Sequence, residues 1–271
     1  MRKAISSFVF VKSRLTPGLL DKLVQAGAEA IEIFAARGHF DYTDRQQVRE
    51  LGNWFKHNGI PLNSLHAPMY ADYEWGRTGS PPLNLVDGDK AHRVESMDEI
   101  KRALEIAETI PLAFLVQHLG NRGDEFSPYK FEHGLSSIEH LHAFAKPLGV
   151  RVLLENIPNE LSAPSRLLQF INTLHLADLG VCFDFGHAHM DGGVEPALEI
   201  LKKHVFSTHI HDNKGEKDDH LFPGEGSIDW KRAIALLREA PHVPPLLMEI
   251  DGGERKDLME KYPESFRLLE S

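Results

Sequence analysis

The 271-residue chain has one cysteine, Cys182. A single thiol closes no intrachain disulfide, so the core alone must hold the fold, and the reducing cytoplasm is the expected location. Cys182 sits in the apolar run VCFD and reads as a small buried core residue. No apolar run approaches the ~20 residues that a membrane-spanning helix needs. The opening MRKAISSFVFV lacks the apolar stretch and small-residue cleavage site of a secretory signal. Positive charge is short as well: 30 Lys and Arg against 40 Asp and Glu leave a formal charge of −10. That disfavours nonspecific nucleic-acid binding, which rests on basic contacts to phosphate, although bound divalent cations change the local sign. What remains, with 42% hydrophobic and 26% charged residues, is the composition of a soluble globular protein with a large core.

Strand-like and helix-like stretches alternate from end to end. Their β-branched and apolar content predicts strands at 3–10, 30–34, 61–66, 113–118, 150–155, 180–185, 205–211 and 246–250. Helices are expected at 17–25, 42–58, 91–109, 131–146, 164–175, 194–203, 228–239 and 256–269. Pro17 suits a first helical turn, Asn58-Gly59 a C-cap, and Ser227 or Asp229 an N-cap. Eight strands each followed by a helix, with no linker between them, indicate a single-domain (β/α)8 TIM barrel. An open doubly wound sheet shares the alternation, but its glycine-rich dinucleotide turn is missing after the first strand. Long loops follow strands three, four and seven, and loops at strand C-termini build the active site in such barrels. Tyr70, Tyr73 and Trp75 in the first of these loops and Phe222 in the last are expected to wall a closed pocket.

Metal-capable side chains end six of the apolar runs. LNSLH ends at His66, AFLVQH at His118, VRVLLE at Glu155, VCFD at Asp184, VFSTH at His209 and PLLME at Glu249. An apolar strand has no use for an unpaired carboxylate, whose burial is costly. Barrel strand ends converge, so Glu155, Asp184, His209 and Glu249 predict one divalent-metal centre. Three carboxylates and an imidazole suit Mn, Mg, Co or Zn. His187, in DFGH where a strand turns into a loop, pairs with Asp218 and His220 of KDDH to close a second site or bind substrate. His66 and His118 beside Glu155 have the same two readings, as ligands of a further ion or as partners of substrate hydroxyls. One ion is the expectation, and three zincs would use all nine side chains. His189 and His211 lie near the site without an assigned role. GEG at 224–226 reads as a tight turn and helix cap rather than a phosphate loop.

The order LHAP, QHLG, LLENIPN, CFDFGH, HIHDNKGEKDDHLFPGEGSIDW and LLMEIDG resembles the xylose-isomerase-like barrel superfamily over nearly the whole chain. That group includes sugar isomerases and ketose epimerases as well as apurinic-site endonucleases of the endonuclease-four type. The epimerase pattern implies that Glu155, Asp184, His209 and Glu249 hold one ion. It also implies that Glu155 and Glu249 form an acid/base pair on opposite faces of the substrate, with His187 contacting a hydroxyl. A metal holding a carbonyl and the adjacent hydroxyl polarises the carbonyl, and one glutamate removes the proton on the neighbouring carbon. Returning that proton from the other face epimerises the sugar; returning it to the next carbon isomerises it. The endonuclease pattern implies three zincs on the same nine positions: His66, His118 and Glu155; Glu155, Asp184, His209 and Glu249; His187, Asp218 and His220.

Departures separate the two patterns. Nuclease relatives carry a threonine-cysteine pair where this chain has Phe185-Gly186, an asparagine where it has His211, and a basic residue where it has Asp219. The loop after strand seven carries Glu216, Asp218, Asp219 and Glu225 instead of the cationic rim that DNA contact needs. The epimerase pattern departs too, since its substrate-binding arginine falls on Gly215. The expected activity is therefore divalent-metal-dependent isomerisation or epimerisation of a keto-sugar or related polyhydroxy carbonyl compound through an enediolate. A multinuclear-zinc phosphodiesterase or AP endonuclease is the alternative, lyase or dehydratase chemistry through the same enolisation comes next, and a non-catalytic sugar-binding barrel is the further reading. The expected partner is a small sugar, with no membrane, and homo-oligomers through the outer helices are compatible with the fold.

Overall fold

The computed structural model describes residues 1–253 and 255–271. The strands are β1 (Lys3–Ser6), β2 (Ala30–Phe34), β3 (Leu62–His66), β4 (Leu112–Gln117), β5 (Arg151–Glu155), β6 (Gly180–Asp184), β7 (Val205–His209) and β8 (Leu246–Met248). They hydrogen-bond in the order β7-β6-β5-β4-β3-β2-β1-β8, and each described pair is parallel. Ile210, just past β7, closes the ring: its N–H donates to Leu247 O at 2.8 Å and its carbonyl accepts from Glu249 N–H at 3.1 Å. This is the (β/α)8 TIM barrel expected from the alternation of strands and helices.

The helices are α1 (Pro17–Gln25), α2 (Arg45–Asn58), α3 (Lys90–Leu104), α4 (Pro128–Ala145), α5 (Pro164–Leu174), α6 (Phe185–Met190), α7 (Val194–Leu201), α8 (Trp230–Leu237) and α9 (Leu258–Glu270). Local chemistry sets their starts. Thr16, Asp44, Asp89, Ser127 and Asp229 each cap a first turn by accepting a backbone N–H. The cap moves the start of α2 from the expected 42 to Arg45, and Asp229 rather than Ser227 caps α8. Gly59 ends α2 at φ 65°, a left-handed position suited to glycine. No helix among the described residues is long and apolar enough to cross a membrane.

Two expectations fail for local reasons. The first strand stops at Ser6, and Ser7–Phe10 winds into a 3-10 turn. The Ser7 hydroxyl oxygen accepts the Phe34 N–H at 2.9 Å, tying that turn to the end of β2. After β6 the chain makes the short α6 instead of a loop, because the Asp184 carboxylate accepts His187 N–H at 2.6 Å as its N-cap.

Packing divides the barrel into layers. The large core lies between strands and helices, while small clusters fill the interior: Ala4, Ala30 and Leu247 in one, Val116, Leu153 and Cys182 in another. Gly180 leaves room for Phe206, since an added Cβ would lie 2.4 Å from that ring. Above this apolar floor the interior turns polar. Register shifts leave Asn63 unmatched against β2 and Phe206 unmatched against β6, and such bulges re-aim side chains beside functional sites. Here they bring Asn63 Nδ2 to 3.4 Å from Ser207 Oγ, just beneath the strand ends.

Candidate metal centre at the barrel mouth

Parallel strands present all their C-terminal ends at one mouth, so residues ending separate strands meet there. The nine predicted side chains form a continuous chain of contacts. Glu155 is its centre. Its Oε1 lies 3.3 Å from His209 Nδ1 and 3.4 Å from His187 Nδ1. Its Oε2 lies 3.1 Å from His118 Nε2 and 3.6 Å from His66 Nε2. Asp184 Oδ2 is 3.5 Å from His187 Nδ1 and 3.9 Å from His209 Nδ1. Glu249 Oε2 is 3.7 Å from His209 Nδ1. Beyond these, His187 Nε2 meets Asp218 at 3.0 Å, and Asp218 meets His220 Nε2 at 3.4 Å.

Sequence reasoning missed Glu32 and left His211 unassigned. Glu32 is fully buried, and its two oxygens lie 3.1 and 3.2 Å from His209 Nε2. A lone glutamate inside AIEIF was the available signal. His211 lies 3.1 Å from Asp184 through Nε2, and its ring stacks on His220 at 3.9 Å between centroids. Asn156 steadies the end of β6: its side-chain amide donates to Asp184 O and accepts Asp184 N–H, both at 2.8 Å.

Burial disfavours every charge in this cluster, and opposite charges overturn it for most members. Against that penalty, His209, His118 and His187 hold the Glu155 carboxyl well below its usual range. Asp184 is likewise lowered by His187 and His211, and Asp218 by His187 and His220. Cys182 and then Glu249, Glu32 and Glu155 raise His209 well above the ordinary imidazole value, and the carboxylates raise His187 well above it and His220 to about 9. His118 goes the other way, because burial outweighs the attraction of Glu155. The field that favours positive charge beside these buried carboxylates would equally favour a divalent cation, whose binding displaces protons from its ligands.

Orphaned atoms test whether these residues fit such an ion. His209 Nδ1 and Glu249 Oε1 are buried without hydrogen-bond partners, an arrangement costly unless something else binds them. Ligands about 2.1 Å from one tetrahedral centre sit about 3.4 Å apart, close to the 3.3–3.9 Å between Nδ1 and the three carboxylates. Potential donor atoms of Glu155, Asp184 and His209 lie within 4.8 Å of one another, as do those of His66, His118 and Glu155. The donor set fits a divalent cation.

A cavity of about 260 Å³ opens above the cluster. Glu155, Glu249, His66, His118 and His187 form its polar side, and Phe8, Phe34 and Trp75 its aromatic wall. That wall corrects the expected one. Only Trp75 of the four anticipated aromatics lines the cavity. Tyr73 instead donates its hydroxyl to Asp41, Tyr70 packs against Gly76, and Phe222 is buried with its ring 5.0 Å from that of Tyr262. Arg122 is the one Lys or Arg among the described lining residues.

Comparisons with known proteins agree with this fold. Residues 20–271 match the model of a family described as xylose isomerase-like TIM barrel. An uncharacterized protein of Methanocaldococcus jannaschii is 26% identical over 97% of this chain and 90% of its own length. The fructoselysine 3-epimerase of Escherichia coli O157:H7 is 24% identical over 78% of this chain and 76% of its own. The solved structure of the IOLI protein with a binding zinc atom superposes with a TM-score of 0.75 at 18% identity, covering 100% of this chain and 95% of that one. With the family match extending over nearly the whole barrel, this chain belongs to the xylose isomerase-like TIM-barrel family.

Proposed function

We propose that this enzyme isomerises or epimerises a keto-sugar or related polyhydroxy ketone, using a divalent ion held by Glu155, Asp184, His209 and Glu249. The observation that carries the reading is the unpartnered His209 Nδ1, buried and faced by all three carboxylates within 3.9 Å. When bound, the ion supplies Lewis-acid polarisation of a carbonyl oxygen. The remaining chemistry belongs to the chain. Glu155 ends β5 and Glu249 follows β8, so the two carboxylates reach the cavity from separated parts of the barrel wall. One takes the proton from the carbon beside the carbonyl, and the other returns it. His187, which lines the cavity, would bond a substrate hydroxyl in exchange for the contact its Nε2 makes with Asp218 at 3.0 Å. Phe8, Phe34 and Trp75 offer aromatic faces to the C–H face of a sugar and keep water from it.

The cavity is sized for a small molecule, and its one Arg makes a poor footprint for duplex DNA, which needs many basic contacts. The related fructoselysine epimerase supports the same class of chemistry. The test is proton exchange in D2O, followed by NMR across a panel of ketoses, with protein loaded in turn with Mn, Co, Mg and Zn. Deuterium appearing beside the carbonyl only with metal, and lost in Glu155→Gln and Glu249→Gln, is the expected result. Metal-dependent cleavage of abasic DNA without exchange of any ketose overturns it.

A further inference from the structure

Below the proposed ligands lies a polar layer that no sugar can reach. Glu32 is completely buried in a strand whose other residues are apolar. Burying a carboxylate there is costly unless its oxygens are satisfied. They are: Glu32 accepts the Ser64 hydroxyl at 2.7 Å and faces His209 Nε2 at 3.1 and 3.2 Å. Ser64 in turn accepts the Asn63 amide at 3.2 Å, and Asn63 reaches Ser207 at 3.4 Å. This network joins β2, β3 and β7, and one of the two register shifts exposes Asn63 to it. Barrel interiors are ordinarily packed with branched apolar side chains, so a satisfied polar layer at this height calls for a purpose.

The purpose follows from the two nitrogens of one ring. A neutral imidazole carries its proton on one nitrogen and a lone pair on the other, and the partner of the first decides which. The Nε2 of His209 faces an acceptor, the Glu32 carboxylate, whereas its Nδ1 has no hydrogen-bond partner and faces Glu155, Asp184 and Glu249. We propose that Glu32 is a positioning residue: it accepts the Nε2 proton of His209, fixes that tautomer, and so aims the Nδ1 lone pair at the metal cluster. The role rests on the reading of His209 as a ligand. Carboxylate partners of ligating histidines also raise ligand basicity, and their loss typically weakens metal binding about 10–100-fold.

A residue that merely braced the barrel would change stability and leave affinity per folded molecule alone. The experiment therefore titrates zinc into chelator-stripped full-length protein against a chromophoric competitor, for wild type, Glu32→Gln and Glu32→Ala. Glu32→Ala, with no acceptor for Nε2–H, is expected to bind about 10–100-fold more weakly. Glu32→Gln keeps an acceptor oxygen, so it should recover most of that loss. Equal affinity for Glu32→Ala and wild type overturns the role given to Glu32. A wild type that binds no divalent ion overturns instead the reading of the site as a metal centre. Should Glu32→Ala not fold, the ring of His209 decides in the zinc-loaded wild type by long-range proton–nitrogen NMR. A proton on Nε2 with Nδ1 metal-bound supports the proposal, and a proton on Nδ1 overturns it.

Discussion

The imidazole of His211 occupies the space that a side chain at Gly186 would fill: an added Cβ would lie 2.0 Å from its Cε1. Two positions where this chain departs from the nuclease pattern are therefore one structural feature. Glycine after Phe185 is what allows a histidine, rather than a smaller side chain, to reach Asp184. Gly186→Ala should destabilise the protein by about 1–3 kcal/mol through overpacking. The same change should cost much less in a His211→Asn background, because the clash is gone. Urea unfolding of the double-mutant cycle checks this, and additive effects would refute the steric coupling.

Asp212 organises the loop after β7. Its carboxylate accepts N–H groups from Asn213, Gly224 and Ile228, and the Trp230 indole at 2.9 Å. The PGEGSIDW motif is thus a turn and helix start tied to one buried acid; GEG forms part of the turn as expected, while the helix cap is Asp229. Asp212→Asn should cost about 1–3 kcal/mol by setting an amide donor against donors, and Trp230→Phe about 1–2. Thermal unfolding measures both, and a Tm unchanged in Asp212→Asn would contradict the hub.

Glu155 touches both the His66/His118 pair and His209, so its loss should cost more metal than any neighbour's. Plasma mass spectrometry on protein purified without chelator should find about one ion per chain in wild type and in His66→Ala, and none in Glu155→Ala. Two or three zincs in wild type, reduced in His66→Ala, would instead assign the outer histidines as ligands. Stripping the ion from wild type should lower the Tm, because ligand binding to the native state alone stabilises it.

His39 predicts a pH dependence. Burial pushes its pKa down to about 4 even though its Nδ1 bonds Ser13 O. The ring is neutral when folded, with Nδ1–H donating to Ser13 O and Nε2 accepting the Ser7 hydroxyl at 2.9 Å. The unfolded chain, with a pKa near 6.5, binds the proton more readily. Stability from this residue is therefore full above about pH 6.5 and falls away toward pH 4, by about 3 kcal/mol in total. Urea titrations between pH 7.5 and 4.5 should show a steeper loss in wild type than in His39→Gln; parallel curves would exclude His39 as the source.

The barrel was legible because its signal is local and repeated. Strand and helix patterns recur eight times, and metal-capable residues end the strands where every βα barrel gathers them. All nine predicted side chains accordingly meet at one mouth. Glu32 was not legible, because its partner lies 177 positions away and strand patterning says nothing about which buried acid faces which histidine. The pocket wall was misread for a similar reason. Tyr73 and Phe222 sit in the expected loops, but hydrogen bonding to Asp41 and packing on Tyr262 turn them away, while Phe8 and Phe34 come from segments read as plain strands.

By itself, the order of residues determined the alternation of elements, the closed parallel barrel and the set of acids and histidines delivered to its mouth. Those follow from hydrophobic periodicity and caps, which act over a few residues. Only the tertiary structure decided which ring nitrogen of His209 is held and which is free, how Gly186 makes room for His211, and which aromatics face the cavity. Each is set by side chains from distant strands competing for one volume, and that competition is settled only when the barrel closes.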